Sequence, residues 1–232
     1  MTTPVVELSG VCRTFERDPP VRALSDVDLT IWPGEWLAIV GPSGSGKSTL
    51  LNVLGLLDRQ TAGTYRFDGV DVNGLDDLAR AGLRGRRIGF IFQAFHLLPH
   101  RSVLENVMLA ELYIGAPRRG RQQRALAALE RVGLLERADF LPTRLSGGQR
   151  QRAAIARSLM GEPSLLLCDE PTGNLDSKSA ANVLDILGGL SRSGLTLVVI
   201  THDESVAARA DRRVRIVDGT LGEVESAAAG RA

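Results

Sequence analysis

Lysine is almost missing from this chain: of 28 basic residues only Lys47 and Lys178 are lysines. A base that is otherwise avoided stands out where it does occur, and Lys47 is the one to explain. A basic surplus is missing as well. With 27 acidic residues the net charge is +1, whereas a surface that tracks nucleic-acid phosphates normally carries a clear positive excess. No nucleic-acid partner is therefore expected. Cysteine is nearly absent too. Cys12 and Cys168 lie far apart without metal-ligand spacing, which argues for a reduced, cytosolic chain rather than a disulfide framework. No apolar run approaches the roughly 20 residues that span a bilayer. The opening Met1-Thr-Thr-Pro-Val-Val-Glu7 has neither the basic nor the apolar stretch of a signal peptide. Any link to a membrane is expected to run through a protein partner.

What is present is an ordinary globular balance, 44% hydrophobic and 24% charged over 232 residues. That length suits one domain with room for a subdomain. Val5–Leu8, Val27–Ile31 and Trp36–Val40 read as strands, as does Gly63–Val72 around a turn, and Ile88–Phe92 follows as an apolar strand. Residues 94–160 look helical, with helices expected at Leu104–Tyr113, Arg121–Val132 and Gln149–Met160. Short apolar runs then return at Leu165–Cys168 and Leu195–Ile200, flanking a helical pattern over Ser179–Leu190. Buried strands alternating with helices indicate a largely parallel α/β sheet covered on both faces. The last residues, 226–232, read as a loose tail.

Gly41-Pro42-Ser43-Gly44-Ser45-Gly46-Lys47-Ser48-Thr49 matches the G-x-x-x-x-G-K-[ST] phosphate loop. Its glycines let successive N–H groups turn inward onto phosphate oxygens. Lys47 would bridge the β- and γ-phosphates, Ser48 would offer its hydroxyl to Mg²⁺, and a helix starting near Lys47 and running to Leu57 adds its positive end. A glycine-rich connecting turn is the bland alternative, but a strand before and a helix after favour the nucleotide. Downstream, Leu165-Leu-Leu-Cys-Asp169-Glu170 runs an apolar strand into two acids. Carboxylates at the carboxyl end of such a strand lie where α/β folds hold ligands. Asp169 is placed to hold Mg²⁺ and Glu170 to orient or deprotonate an attacking water. Cys168, within the strand, reads as inert core.

The most specific feature is Leu145-Ser146-Gly147-Gly148-Gln149 ahead of a helical run. Ser146 can cap that helix while Gly147 and Gly148 leave bare N–H groups at its positive end, a second anion site. Standing about twenty residues before Asp169-Glu170, this pentapeptide makes nearly the whole chain resemble the ABC ATPase family. The resemblance implies an α/β P-loop NTPase. It would have a RecA-like core with a mostly parallel sheet and an N-terminal antiparallel β region (residues 1–93 and 161–225), plus a helical subdomain (94–160) carrying the signature. It implies ATP and Mg²⁺ as ligands and a homodimer in which Leu145–Gln149 of one copy meets the ATP of the other. By the same resemblance Gln93 touches Mg²⁺ and senses a transmembrane partner, Asp176 in Asn174-Leu-Asp176 links the two active sites, and His202 bonds the γ-phosphate. Thr49 would reach the α-phosphate, and Phe15 would stack on adenine.

Gly63–Val72, the run Ile88–Pro99 and Leu104-Glu-Asn-Val107 look similar to one bacterial branch, the lipoprotein-release, macrolide-export and cell-division ATPases. That likeness implies separate permease subunits docking near Gln93–Pro99 and a place on the inner face of the cell membrane. Phe95–Pro99 could equally be core packing. The cluster Arg118, Arg119, Arg121 and Arg124 reads as a solvated helix start. Rival readings are a regulatory ABC ATPase of cell division, a DNA-repair type, and a small-molecule kinase. The short spacing between Lys47 and Leu145, without heptads, speaks against the second, and the signature against the third. Cargo is not legible in this chain.

Overall fold

The computed structural model describes residues 2–112, 115 and 117–224. The tail expected at 226–232, and the Tyr113 end of one expected helix, lie outside the described residues. In chain order the elements are β1 (Val6–Phe15), β2 (Val21–Ile31), β3 (Trp36–Val40), α1 (Lys47–Leu54), β4 (Ala62–Phe67), β5 (Val70–Asp71), α2 (Asp77–Arg87) and β6 (Ile88–Ile91). Then follow α3 (Val103–Met108), α4 (Arg121–Arg131), α5 (Gly147–Leu159), β7 (Leu165–Asp169), α6 (Ser177–Arg192), β8 (Thr196–Ile200), α7 (Glu204–Ala207), β9 (Arg212–Val217) and β10 (Thr220–Val224).

Two sheets result. An antiparallel one has the order β2-β1-β4-β5, and a six-stranded one runs β10-β9-β3-β8-β7-β6, parallel except for β10. Strand residues alternate faces with period 2, and that alternation divides the apolar core. Leu37, Ile39, Leu165, Leu167, Val198 and Ile200 join α1 and the antiparallel sheet in one buried cluster. Trp36, Leu166, Cys168, Leu197 and Val199 join α3, α4, α5 and α6 in the other. Each buried strand therefore holds both layers to itself, as expected for a sheet covered on both sides. Among the described residues no helix is long and apolar enough to cross a membrane.

The differences from the expected elements have local causes. The helix after the phosphate loop stops at Leu54, not Leu57, because Leu56 turns to φ +54° and the N–H groups of Leu57 and Asp58 both donate back to Asn52 O. Helix α2 was not expected: it is arginine-rich, carries Gly82 and Gly85, and buries only Arg80, with Leu83 partly buried against the core, although Asp76 caps it by accepting from Ala79 N. The β9–β10 hairpin was missed as well, although Arg-Arg-Val-Arg-Ile-Val alternates as a strand should. Arg121 and Arg124 are not a free solvated start, since both pair with Glu111, whose side chain is only 2% exposed. Those bonds hold the Glu111 carboxyl below its usual range, Arg124 contributing most.

Asn106, fully buried, pins the segment that follows β6. Its Nδ2 donates to the carbonyls of Leu98, Arg101 and Ser102 while its Oδ1 accepts from Leu98 N at 2.7 Å. Replacing it would leave Leu98 N and Arg101 O without their partner, while the Leu98 and Ser102 carbonyls keep the backbone N–H groups of Arg101 and Asn106. Each unmet group costs on the order of 1–3 kcal/mol less whatever water recovers. Asn106→Leu is expected to lower unfolding stability by about 2–4 kcal/mol in urea titration, with faster amide exchange over 96–102.

Candidate functional site

Strand register brings the sequence motifs to one edge. In the parallel ladder Ile39 pairs with Ile200 and Ile200 with Asp169. The residues one step on, Val40-Gly41, Thr201-His202 and Glu170, therefore leave the carboxyl edge of the sheet side by side. Ile91 pairs with Cys168, which delivers Phe92-Gln93 to the same edge. Open α/β sheets hold their ligands in this crevice.

The phosphate loop is shaped for an anion. A Cβ on Gly41 would run into the carbonyl of Ile216, and one on Gly46, at φ +106°, would lie 2.5 Å from Ala23 O. Gly46 is also the cap residue of α1 and supplies no side-chain acceptor, so the first N–H groups of the helix are left for a ligand. Lys47 Nζ donates to the carbonyls of Gly41 at 2.8 Å and Pro42 at 2.6 Å, folding over the loop. The buried Ser45 hydroxyl has no partner among the described residues. Ser48 is exposed and Thr49 half-buried beyond it. A nucleotide's phosphates fit this cradle.

The acids behave differently from each other. Asp169 is half-buried, and its carboxyl is pushed up first by desolvation and then by the neighbouring Glu170 charge, with Lys47 pulling it back. Two adjacent carboxylates with one nearby ammonium favour a further cation. Asp169, the Ser48 hydroxyl and the Gln93 amide offer oxygen donors of the hard type that suits Mg²⁺. Glu170 sits at φ +46°, a region few non-glycine residues adopt. Its N–H donates to Ile200 O at 2.9 Å. Its carboxylate accepts from the Thr201 hydroxyl at 3.1 Å and from His202 N at 3.1 Å, and meets His202 Nδ1 at 2.6 Å. The imidazole is otherwise 76% exposed.

Ser146 caps α5 as expected, accepting from Gln149 N at 3.2 Å while Gln149 Oε1 accepts from Ser146 N at 2.9 Å. That reciprocal box uses one helix donor and leaves the others at the glycines. Leu145 is buried beneath it. Among the described residues no hydrogen bond or ion pair joins 145–149 to 41–49. The signature packs instead against the loop after β7 and the start of α6: a Cβ on Gly147 would meet Leu175, and one on Gly148 would meet Ser179. Asp176 caps α6 by accepting from Ser179 N at 3.0 Å. Gln93 is tied to this same loop, since its Nε2 donates to Asn174 Oδ1 at 3.4 Å and Asn174 Nδ2 donates to Gln93 O at 3.0 Å. Phe15 is half-buried at the end of β1. Phe95 is also half-buried, under the Arg150 guanidinium, and Leu98 is exposed, so 95–99 is part core and part surface. Cys168 is fully buried with its thiol pushed far up by desolvation, as inert core should be.

Two residues of the site went unread in the sequence. Thr201 is fully buried and aims its hydroxyl at Glu170. Gln151, also fully buried, donates from α5 to Pro171 O at 2.6 Å and Phe92 O at 3.4 Å. The signal for Thr201 was its place in Thr-His-Asp; for Gln151 there was none beyond a polar residue on the inner face of a helix.

Comparison with known proteins agrees with this geometry. A family model described as ABC transporter matches residues 24–173. The ABC transporter ATP-binding protein YvrO of Bacillus subtilis is 51% identical over 201 residues, 87% of this chain and 88% of that protein. The macrolide export ATP-binding/permease protein MacB of Rhodospirillum rubrum is 50% identical over 221 residues, 95% of this chain. This chain spans about a third of the length of that relative, 34%. A dimeric post-hydrolysis structure of the ATP-binding cassette MJ0796 with ADP and Pi superimposes with a TM-score of 0.85 at 40% identity, covering 95% of this chain and 98% of that one. The chain belongs to the ABC transporter family. Within it, this is an ATPase cassette.

Thr201→Val keeps the shape of the side chain but removes a donor to the Glu170 carboxylate, a bond to a charged group worth about 1.5–3 kcal/mol, together with the acceptor of Asp203 N. ATP turnover is expected to fall about tenfold with nucleotide affinity unchanged, and Thr201→Ser to recover most of it, read by steady-state phosphate release.

Proposed function

We propose that two copies of this cassette close face to face on two Mg·ATP and so drive a transmembrane permease partner. The observation that carries the reading is the separation within one chain of two anion sites. The cradle at 41–49 and the glycine cap at 145–149 have no bond to each other, and each is built to take phosphate oxygens at a helix N-terminus. A second copy brings its cap to this chain's cradle, and ATP joins the pair.

In that sandwich Gly41, Pro42, Ser43, Gly44, Ser45 and Gly46 wrap the phosphates with backbone N–H groups. Lys47 neutralises the β- and γ-oxygens, Thr49 reaches the α-phosphate, and Phe15 carries the adenine. Ser48, Gln93 and, through water, Asp169 would hold Mg²⁺, which when bound offsets charge on the β- and γ-oxygens. Glu170 orients the attacking water and draws on its proton; His202, hydrogen-bonded to Glu170 through Nδ1, is free to turn its other nitrogen to the γ-phosphate. Leu145, Ser146, Gly147, Gly148 and Gln149 complete the site from the partner copy, and Asp176 stands where the two sites meet. Positioning and electrostatic stabilisation supply most of the acceleration in phosphoryl transfer.

The division into a core of 1–93 and 161–225 and a helical part of 94–160 belongs to this reading, since helices α3, α4 and α5 form one contiguous stretch. The permease would dock near Gln93–Pro99, where Leu98 is 48% exposed, placing the cassette on the inner face of the cell membrane. Export is the favoured work because relatives named for export are 50% and 48% identical to this chain over the third of their length that it spans.

The test is Glu170→Gln. It should bind ATP, lose more than about 100-fold in hydrolysis, the scale of a lost general base, and run as a stable dimer with Mg·ATP in gel filtration. Adding Ser146→Arg to it should return a monomer. A Glu170→Gln chain that stays monomeric with ATP and hydrolyses at the wild-type rate defeats the reading.

A further inference from the structure

The ring of Phe15 is not open on both sides. The guanidinium carbon of Arg13, two residues back on the same face of β1, lies 4.3 Å from its centroid. Arg13 is held in turn by Asp58, its Nε donating to Oδ2 at 2.8 Å, with only 21% and 26% of the two side chains exposed. Asp58 stands just past the end of α1, where its own N–H donates to Asn52 O at 3.1 Å. That helix begins at the phosphate cradle. One ion pair therefore ties the strand end that carries the aromatic to the element that carries the phosphate site. Opposite Phe15 in the β1–β2 register is Val21, 46% exposed, so ring and valine form an apolar ledge at the tip of the hairpin. The connecting residues Glu16–Pro20 are all exposed and offer the ring no support.

We propose that Arg13, locked by Asp58, is the positioning residue that sets affinity and selectivity for the adenine base. It acts through Phe15. A phenyl ring at a strand end, next to an exposed loop, samples several rotamers, and a cation within about 6 Å of its centroid favours the one that keeps the ring on the guanidinium. With the back face taken, one face remains, turned outward at a reach from the cradle that the Asp58 anchor fixes. The guanidinium also draws the ring's electron density towards itself, so the open face better accepts an electron-rich purine. The inference rests on the reading of Phe15 as the base platform.

Calorimetry on the full chain with MgADP and with magnesium pyrophosphate, neither of which turns over, separates base from phosphate binding. Arg13→Met keeps the stem and removes the charge. It is expected to weaken MgADP about three- to tenfold, the range of an exposed to half-buried cation–π contact, while pyrophosphate binds as before. KM for ATP should rise by the same factor with kcat moving less than twofold; Arg13→Lys should recover part of the loss and Asp58→Asn show a smaller one. If Phe15→Ala weakens MgADP and Arg13→Met does not, the role of Arg13 is overturned while the platform stands. If both variants bind MgADP like wild type, the platform reading itself falls. Equal losses for MgADP and pyrophosphate in Arg13→Met would show general damage to the site and overturn the proposal.

Discussion

Everything chemical in this molecule depends on the register of three five-residue strands. Ile39, Ile200 and Asp169 lie abreast in β3, β8 and β7; Glu170 follows one residue later, and the phosphate loop at Gly41 and the histidine at His202 two residues later. Side chains alternate with period 2, so a slip of one residue would move every apolar side chain to the opposite layer. Both layers here are filled with buried aliphatic residues, and each therefore votes against the slip. The apolar alternation of short strands, which carries no chemistry, thus fixes where the charges stand.

Glu170 shows what that frame can sustain. A glutamate with positive φ is held at a cost of order 1–3 kcal/mol, and it persists because its surroundings over-determine it. Its N–H completes a ladder bond to Ile200, and its carboxylate is gripped by consecutive residues of the next strand's exit, Thr201 and His202. The strained turn aims the carboxylate across the sheet edge instead of along the strand. Asp169, one residue earlier and still within the ladder, points into the half-buried crevice. Two neighbouring acids thereby acquire unlike environments from one backbone irregularity.

The motif-bearing parts of the fold were legible in the sequence because they combine a local pattern with obligatory residue types. Trp36–Val40 was read to the residue, the cap at Ser146 was deducible from Ser-Gly-Gly-Gln, and the parallel sheet followed from apolar runs between helices. Helix α2 was illegible for a physical reason: its sequence is arginine-rich with Gly82 and Gly85 inside it, glycine being a poor residue for a helix interior, and its one buried residue is an arginine whose guanidinium reaches the carbonyls of Asp58 and Val72. Thr201 and Gln151 escaped because a buried hydroxyl or amide is identified by what it meets, and those partners are distant in sequence. The Arg121 and Arg124 cluster looked solvated for the same reason, since Glu111 arrives from another helical turn.

Arg157, in the last turn of α5, donates to the carbonyls of Phe95 and His96, and Gly89 on β6 lets the strand approach the same helix so closely that a Cβ would lie 2.7 Å from Ser158 O. Helix α5 is thus clamped at its far end to the segment between strand and surface, while its near end carries the glycine cap. The carbonyls of Phe95 and His96 and the glycine cap therefore meet opposite ends of one continuous helix. In engineering terms the helix is a beam with a fitting at each end: a displacement of one fitting would have to be taken up by the other or by the sheet beside it.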